Sequence, residues 1–250
     1  MIGFTSVSLR PYTVEEVVRI AAEAGAEIIE WGTDKHIKTV RDAENAKKLC
    51  DEYSLPVNSV GSYYRTGSGD KAAWKTVCEC AHILGAKTIR AWLGVKGSDQ
   101  TSPEEYETLL QDARSMADEA AKYGLIVSHE CHHDTYNDET EASLRFLRDV
   151  GRDNVKTYYQ SWYRDEAGDR DKLEKTFPFV TDVHLSFSEL KKFQEGYTRD
   201  EDYIEKILSW LKEFGYDRSL IIEFTASDSP EELKKDIARL KALWAVVSCQ

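Results

Sequence analysis

The chain has 250 residues, of which 41% are hydrophobic and 11% aromatic. This is enough apolar material for a substantial core, which excludes an intrinsically disordered chain and a small stapled scaffold. Its 33 Lys and Arg against 45 Asp and Glu give a formal net charge of −12. Because this charge repels phosphate backbones and anionic lipids, we expect no nucleic-acid or membrane partner and favour a small-molecule substrate. We expect one domain over residues 1–250.

The sequence carries no signal for export or membrane insertion. No run approaches the ~18 consecutive apolar residues of a membrane span, and the first residues lack the charged and apolar regions of a signal peptide. The five cysteines are odd in number and lack the paired spacing of a zinc ribbon or a C-x-x-C motif. We therefore expect a cytoplasmic protein, and the sequence leaves open whether it forms a homo-oligomer.

Polar periodic segments, glycines and short apolar runs alternate along the chain, which is the pattern of repeated βα units. Glycines that suit the left-handed residue after a helix stand at five junctions: Gly25, Gly85, Gly124, Gly151 and Gly215. Three helix starts place a hydroxyl residue three positions before a glutamate, which predicts a capping box at each. These pairs are Thr13 with Glu16, Ser102 with Glu105, and Ser229 with Glu232.

Eight short runs rich in apolar and β-branched residues are predicted as strands. They cover residues 3–7, 26–31, 55–61, 86–92, 125–130, 154–160, 179–185 and 219–224. Eight strands alternating with helices over about 250 residues predict an α/β fold, a single-domain (β/α)8 TIM barrel. A doubly wound open sheet is the alternative, but the chain has no Gly-x-Gly-x-x-Gly after its first strand and no P-loop signature.

Polar side chains end four consecutive predicted strands in the second half of the chain. They are Glu130, Gln160, His184 and Glu223, separated by 30, 24 and 39 residues. Because the carboxyl ends of barrel strands converge at one mouth, these four side chains can meet. Two carboxylates, an imidazole and an amide are costly to bury unless a cation binds them. The set therefore predicts a site for one divalent metal ion, with manganese favoured and zinc, cobalt or magnesium as alternatives.

Two acids beside one cation also predict a specific chemistry. A metal that polarises a substrate carbonyl and hydroxyl lowers the pKa of the neighbouring C–H. One carboxylate then removes the proton and the other returns it, through an enediolate. Glu130 and Glu223 are accordingly the predicted catalytic residues.

Segments at six predicted strand ends carry a family pattern. They are EWGTDKH at 30–36, SVGSYYR at 59–65, IRAWLG at 89–94, ECH at 130–132, and the strand ends at His184 and Glu223. Together they resemble the sugar phosphate isomerase/epimerase superfamily of xylose-isomerase-like barrels, and the resemblance covers nearly the whole chain. Members commonly bind one divalent metal through Glu, Asp, His and Glu, with the glutamates serving as acid and base.

The resemblance implies the metal ligands Glu130, Gln160, His184 and Glu223. Gln160 departs from the pattern, since many members have aspartate at its position. A neutral amide can still offer its oxygen, but the site loses one negative charge. We expect this difference to weaken metal affinity and to change metal selectivity.

Further residues at the predicted mouth are candidates for substrate binding. His132 lies two residues past Glu130 and resembles the histidine that members place near the substrate. Arg65 and Arg90 end two strands and suit a carboxylate, a phosphate or a polyhydroxyl group, although a structural network with Glu30 or Asp34 is the alternative. The remaining candidates are His36, Trp92 and Trp162.

The leading hypothesis is a metal-dependent isomerase or epimerase in carbohydrate metabolism, acting on a small carbohydrate or hydroxy-keto acid. A lyase or dehydratase like inosose dehydratase is an alternative, because the same enediolate can expel a β-hydroxyl. Another alternative is a sugar-binding barrel without catalytic activity, in which Gln160 in place of aspartate is the first sign that the metal site has been lost. Apurinic endonucleases share the fold. They need more His and Asp ligands than this chain has at its strand ends, and a basic DNA-binding face that a net charge of −12 disfavours.

Overall fold

Eight parallel strands close into a barrel in chain order, with β8 hydrogen-bonded to β1. The computed structural model describes residues 1–161, 165–187 and 200–249. The strands are β1 (Ile2–Thr5), β2 (Ile28–Gly32), β3 (Val57–Thr66), β4 (Thr88–Leu93), β5 (Ile126–Glu130), β6 (Val155–Gln160), β7 (Val180–Leu185) and β8 (Ser219–Ile222). The predicted (β/α)8 barrel is confirmed, and each predicted strand overlaps an observed one.

Helices follow the strands and cover the outside of the barrel. Those in the described ranges are α1 (Val14–Ala24), α2 (Val40–Glu52), α3 (Lys71–Leu84), α4 (Pro103–Ala121), α5 (Thr140–Val150), α6 (Glu166–Thr176), α7 (Asp200–Glu213) and α8 (Pro230–Ser248). No helix in these ranges has the length and apolar character needed to cross a membrane.

The helix ends follow the local sequence signals, with one exception. Thr13 and Ser102 form complete capping boxes at the starts of α1 and α4. Ser229 accepts a hydrogen bond from the Glu232 N–H, but its own hydroxyl donates to Glu231 and the reciprocal half of the box is missing. At the other end of α1, Gly25 is left-handed with φ 71°, a conformation that glycine adopts at little cost.

Alternation along the strands places the polar residues of the mouth directly above an apolar layer. Ile28, Tyr158 and Ile221 form a small buried cluster inside the barrel. Successive side chains of a strand point to opposite faces, so a residue two positions further on faces the interior again. Two positions beyond these three residues stand Glu30, Gln160 and Glu223, which form the next layer.

Strand β3 is longer than predicted and irregular. The sequence predicts its end at Gly61, but pairing with β4 continues through Thr66. Gly61 pairs with Arg90 and Arg65 with Trp92, so β3 uses four positions where β4 uses two. A bulge of this kind bends the strand and redirects its side chains. It places Arg65 beside Trp92 at the mouth.

Candidate active site

Three of the four predicted ligands meet at the carboxyl ends of β5, β7 and β8. The Nδ1 atom of His184 lies 3.2 Å from Glu130 Oε1 and 3.3 Å from Glu223 Oε2. One ligand atom from each of the three residues can be chosen so that all lie within 4.8 Å of one another. All three side chains are buried. The arrangement is a carboxylate and histidine cluster of the size that encloses a metal ion.

Gln160 borders this cluster at the end of β6. Its amide nitrogen donates a hydrogen bond of 3.0 Å to Glu223 Oε2, and its amide oxygen is buried without a hydrogen bond to any described residue. The two ends of an amide are distinguished by their hydrogen bonds alone. The amide oxygen of Gln160 therefore has no hydrogen-bond partner in the described part of the chain, and its role as a metal ligand stays a prediction.

The charges around the cluster fit a dication. Glu30, Glu130 and Glu223 contribute −3 and the buried guanidinium of Arg90 contributes +1, so the groups around the His184 ring carry a charge of −2. Burial lowers the pKa of His184, but the carboxylates of Glu223 and Glu30 outweigh it and raise this pKa well above its ordinary value. The surroundings thus favour positive charge here, and carboxylate and imidazole ligands suit manganese, zinc, cobalt or magnesium.

Arg90 and Trp92, both on β4, hold Glu130 from one side. The guanidinium of Arg90 and the indole N–H of Trp92 both donate to Glu130 Oε2. Burial raises the pKa of Glu130, but Arg90 and His184 together outweigh it and the net pKa is lowered. Arg90 also lies 3.7 Å from Glu30 Oε1, so the pairing with Glu30 that the sequence offers as an alternative is present. Substrate binding by Arg90 stays a prediction.

Glu30 is a site residue that the sequence analysis missed. It is an inward-facing residue near the carboxyl end of β2 and is completely buried. Its Oε1 lies 3.3 Å from His184 Nε2, on the far side of the ring from Glu130 and Glu223. Burial raises its pKa, but His184 and Arg90 reverse this and lower the pKa to about 2. An acidic residue inside the apolar run Ile28 to Trp31 is the sequence signal that could have revealed it.

Three predicted substrate-binding residues lie together at the mouth beside Glu130. The guanidinium carbon of Arg65 lies 4.1 Å from the ring centroid of Trp92, and Arg65 Nη1 donates to the Gly94 carbonyl at 2.9 Å. The ring of His132 lies 5.3 Å from that of Trp92. The ring of Trp92 thus contacts both the guanidinium of Arg65 and the imidazole of His132, and its indole N–H donates to Glu130.

His36 lies away from this group, with both ring nitrogens engaged. Nδ1 lies 3.0 Å from Ser6 Oγ, and Nε2 lies 3.0 Å from the Tyr12 carbonyl oxygen. Burial lowers the pKa of His36, so the neutral ring is favoured. These contacts fasten the loop after β2 to the segment after β1, and substrate binding by His36 stays a prediction. Trp162 lies outside the described residues.

The backbone turns sharply immediately after Glu223. The Glu223 N–H still pairs with the Leu185 carbonyl of β7 at 2.9 Å, which fixes its height in the barrel. The next residue, Phe224, has φ 58°, a left-handed conformation that is uncommon for a bulky side chain. Such local strain is found where a fold holds a functional group in place.

These features define a class: a (β/α)8 barrel with a buried carboxylate and histidine cluster at the mouth where barrel enzymes carry their chemistry. The family model described as "xylose isomerase-like TIM barrel" matches residues 18–243. The chain therefore belongs to this family, and the family resemblance read from the sequence is confirmed.

One similar curated protein is a 3-dehydroshikimate dehydratase from Bacillus anthracis. It is 24% identical to this chain over 181 residues, which is 68% of this chain and 65% of the relative. The chain thus spans slightly less than two thirds of that protein's length.

Solved structures with the same fold include a dehydratase and epimerases. A probable 3-DHS dehydratase of Bacillus anthracis has a TM-score of 0.79 at 18% identity, covering 96% of this chain and 98% of the other. An L-ribulose 3-epimerase has a TM-score of 0.77 at 15% identity, covering 98% and 95%. A 3-keto-D-glucoside 4-epimerase of E. coli has a TM-score of 0.76 at 18% identity, covering 96% and 98%. At these identities the likeness shows the fold alone.

Proposed function

We propose that this chain is a metal-dependent isomerase or epimerase of a small carbohydrate or hydroxy-keto acid. The observation that carries the proposal is the convergence of two carboxylates from β5 and β8 on one imidazole nitrogen. Glu130 and Glu223 both approach His184 Nδ1 within 3.3 Å, in a buried site. Two carboxylates around one centre suit a reaction that removes a proton from carbon and returns it.

Four residues would hold a divalent cation, manganese being favoured. Glu130, His184 and Glu223 supply two carboxylates and an imidazole, and the unpartnered amide oxygen of Gln160 supplies a fourth ligand. A bound divalent cation supplies Lewis acidity, which polarises a substrate carbonyl and hydroxyl and acidifies the C–H between them.

The contacts of the two glutamates assign them different strengths as bases. A guanidinium and an indole N–H both stabilise the ionised form of Glu130. His184 lies beside both glutamates, and Glu223 otherwise accepts a hydrogen bond from the neutral amide of Gln160. Hydrogen bonds and positive charge that favour a carboxylate weaken it as a base. We therefore assign the first proton removal to Glu223. Glu130 begins ionised, so it takes up a proton from solvent before it donates one to the intermediate.

Arg65, Trp92 and His132, which lie together at the mouth, form the proposed binding surface for the substrate. The indole face of Trp92 suits the C–H face of a sugar-like ring or chain. Arg65 offers a cation for a carboxylate, phosphate or hydroxyl group, and His132 offers a second polar contact. Arg90, His36 and Trp162 complete the predicted set, and Arg90 acts through its contact with Glu130.

A lyase or dehydratase is a second candidate, supported by one curated relative and one similar structure. The curated relative is a 3-dehydroshikimate dehydratase, and one similar structure is a probable 3-DHS dehydratase. On this barrel the same enediolate would expel a β-hydroxyl instead of being reprotonated. NMR analysis of products from a panel of ketoses, inososes and hydroxy-keto acids separates the candidates, because dehydration gives an unsaturated product and epimerisation does not.

The variant Glu223→Gln tests the proton-transfer role directly. We expect it to fold and to lose solvent deuterium incorporation at the acidic C–H of a panel substrate by at least about 100-fold, the lower range for general base catalysis. Glu231→Gln, an exposed acid at the start of α8, is the control and should exchange at the parent rate. Unchanged exchange in Glu223→Gln would refute the assignment. A parent protein that binds sugars but exchanges nothing would indicate the silent binding barrel instead.

A further inference from the structure

Glu30 divides its two carboxylate oxygens between different partners. Oε2 accepts hydrogen bonds of 2.8 Å from the hydroxyls of Ser59 and Tyr158. Oε1 forms no hydrogen bond to any described residue and lies 3.3 Å from His184 Nε2. Two neutral donors from β3 and β6 therefore fix the carboxylate so that its remaining oxygen is directed at the imidazole.

His184 is correspondingly held between carboxylates on its two sides. Its Nε2 is buried and, apart from the contact with Glu30, has no polar partner in the described ranges. Its Nδ1 lies among the oxygens of Glu130 and Glu223. When Nε2–H of an imidazole donates to a carboxylate, Nδ1 keeps its lone pair and is oriented as a ligand.

The backbone of β3 leaves space for this contact. A Cβ atom at Gly61 would lie 2.8 Å from Glu30 Oε1 and 3.0 Å from Arg90 Nη2. Any other residue at this position would displace the oxygen that faces His184 or the guanidinium beside it. Glycine at position 61, in the middle of a strand where it is otherwise unfavourable, is thus required by the geometry around Glu30.

We propose that Glu30 is a positioning residue that fixes the His184 ring with its proton on Nε2 and its Nδ1 lone pair toward Glu130 and Glu223. The inference rests on the proposed metal-dependent function, because it assigns Nδ1 as the ligand atom. Glu30 acts through His184, whose ring lies between Glu30 on one side and Glu130 and Glu223 on the other.

The variant Glu30→Gln reverses the hydrogen-bond polarity without changing the shape. Its amide oxygen can still accept from Ser59 and Tyr158, which leaves the NH2 group to face His184 Nε2. A donor there requires a lone pair on Nε2, so the ring proton moves to Nδ1 and the nitrogen that faces the two glutamates can no longer ligate. We expect the Mn²⁺ dissociation constant, measured by titration with detection of free Mn²⁺ by EPR, to rise about 10–100-fold.

Tyr158→Phe is the matched control, because it removes one donor to Glu30 Oε2 and leaves Oε1 in place. Loss of one of the two hydrogen bonds to the Glu30 carboxylate should change Mn²⁺ affinity by about fivefold at most, because Ser59 still holds Oε2. If the parent binds one Mn²⁺ and Glu30→Gln binds it equally well, the positioning role is overturned while the proposed function stands. If the parent itself binds no Mn²⁺, both the proposed function and this inference are overturned.

A measurement on the parent chain reports the position of the ring proton with Glu30 in place. Long-range 1H–15N NMR of 15N-histidine-labelled, Zn²⁺-loaded protein reports which ring nitrogen of His184 carries the proton. The signals are assigned by their absence in His184→Gln. We expect a protonated Nε2 with slow solvent exchange and a metal-bound Nδ1. A proton on Nδ1 would overturn the inference.

Discussion

Asp182 lies on β7, one layer below the candidate site. Its pKa provides a quantitative test of how strongly the barrel interior disfavours a charged carboxylate. Asp182 is buried, and its Oδ1 accepts a 2.9 Å hydrogen bond from Asn58, which in turn accepts one of 2.8 Å from Ser219. Burial raises the pKa of Asp182 from 3.8 to about 6. A rise of about two pKa units corresponds to about 3 kcal/mol.

Comparing the folded and unfolded chains gives the direction in which folding stability changes with pH. The unfolded chain ionises this carboxyl near pH 3.8 and the folded chain near pH 6, so folding stability is lost as pH rises between these values. Asp182→Asn removes this titration and keeps an oxygen for Asn58. The free energy of unfolding of the variant, relative to the parent, should therefore increase by about 2 kcal/mol between pH 4.5 and pH 8.

Urea denaturation at pH 4.5, 6 and 8 in buffer containing a chelator measures this difference without any contribution from bound metal. Any cost of the new amide N–H2 is the same at each pH and cancels from the comparison. Asp99→Asn, at an exposed position, is the control and should track the parent across the range. Stability curves of Asp182→Asn and parent that run parallel from pH 4.5 to 8 would refute the reasoning.

Two further variants test the electrostatics of the site. Arg90→Met should destabilise the fold by about 3–5 kcal/mol, because it leaves Glu30 and Glu130 buried without the guanidinium that pairs with them. Urea denaturation measures the change in the free energy of unfolding. A loss below about 1 kcal/mol would contradict this expectation. Gln160→Asp restores a charged ligand and should tighten Mn²⁺ binding about tenfold, since ligand charge sets affinity for divalent cations. Unchanged binding in an equilibrium titration would contradict a contact between position 160 and the metal, and weaker binding would contradict the gain expected from the added charge.

Much of the fold could be predicted because each βα unit carries its own local signals. Helix caps, junction glycines and β-branched runs located all eight strands, and closure of the barrel then brought Glu130, His184 and Glu223 together. Alternation along β5 puts His129 on the face opposite Glu130, where its Nε2 lies 2.9 Å from Thr66 Oγ1 and its ring packs against Phe146 of α5.

The features that the sequence did not reveal depend on contacts between distant segments. Glu30 and Tyr158 are 128 residues apart, and their hydrogen bond follows from the register of β2, β3 and β6 in the closed barrel. The continuation of β3 to Thr66 depends on its bulge against β4, which no local pattern predicts. His36 falls in a matching motif, but its two ring contacts, to Ser6 and Tyr12, come from the segment after β1.

The most direct test of the central claim is the anomalous X-ray difference map of crystals grown with saturating Mn²⁺. We expect one strong peak per chain, bonded to Glu130, His184 Nδ1 and Glu223, with the side chain of Gln160 adjacent. A map with no peak among these residues, or with the manganese bound elsewhere on the barrel, would contradict it.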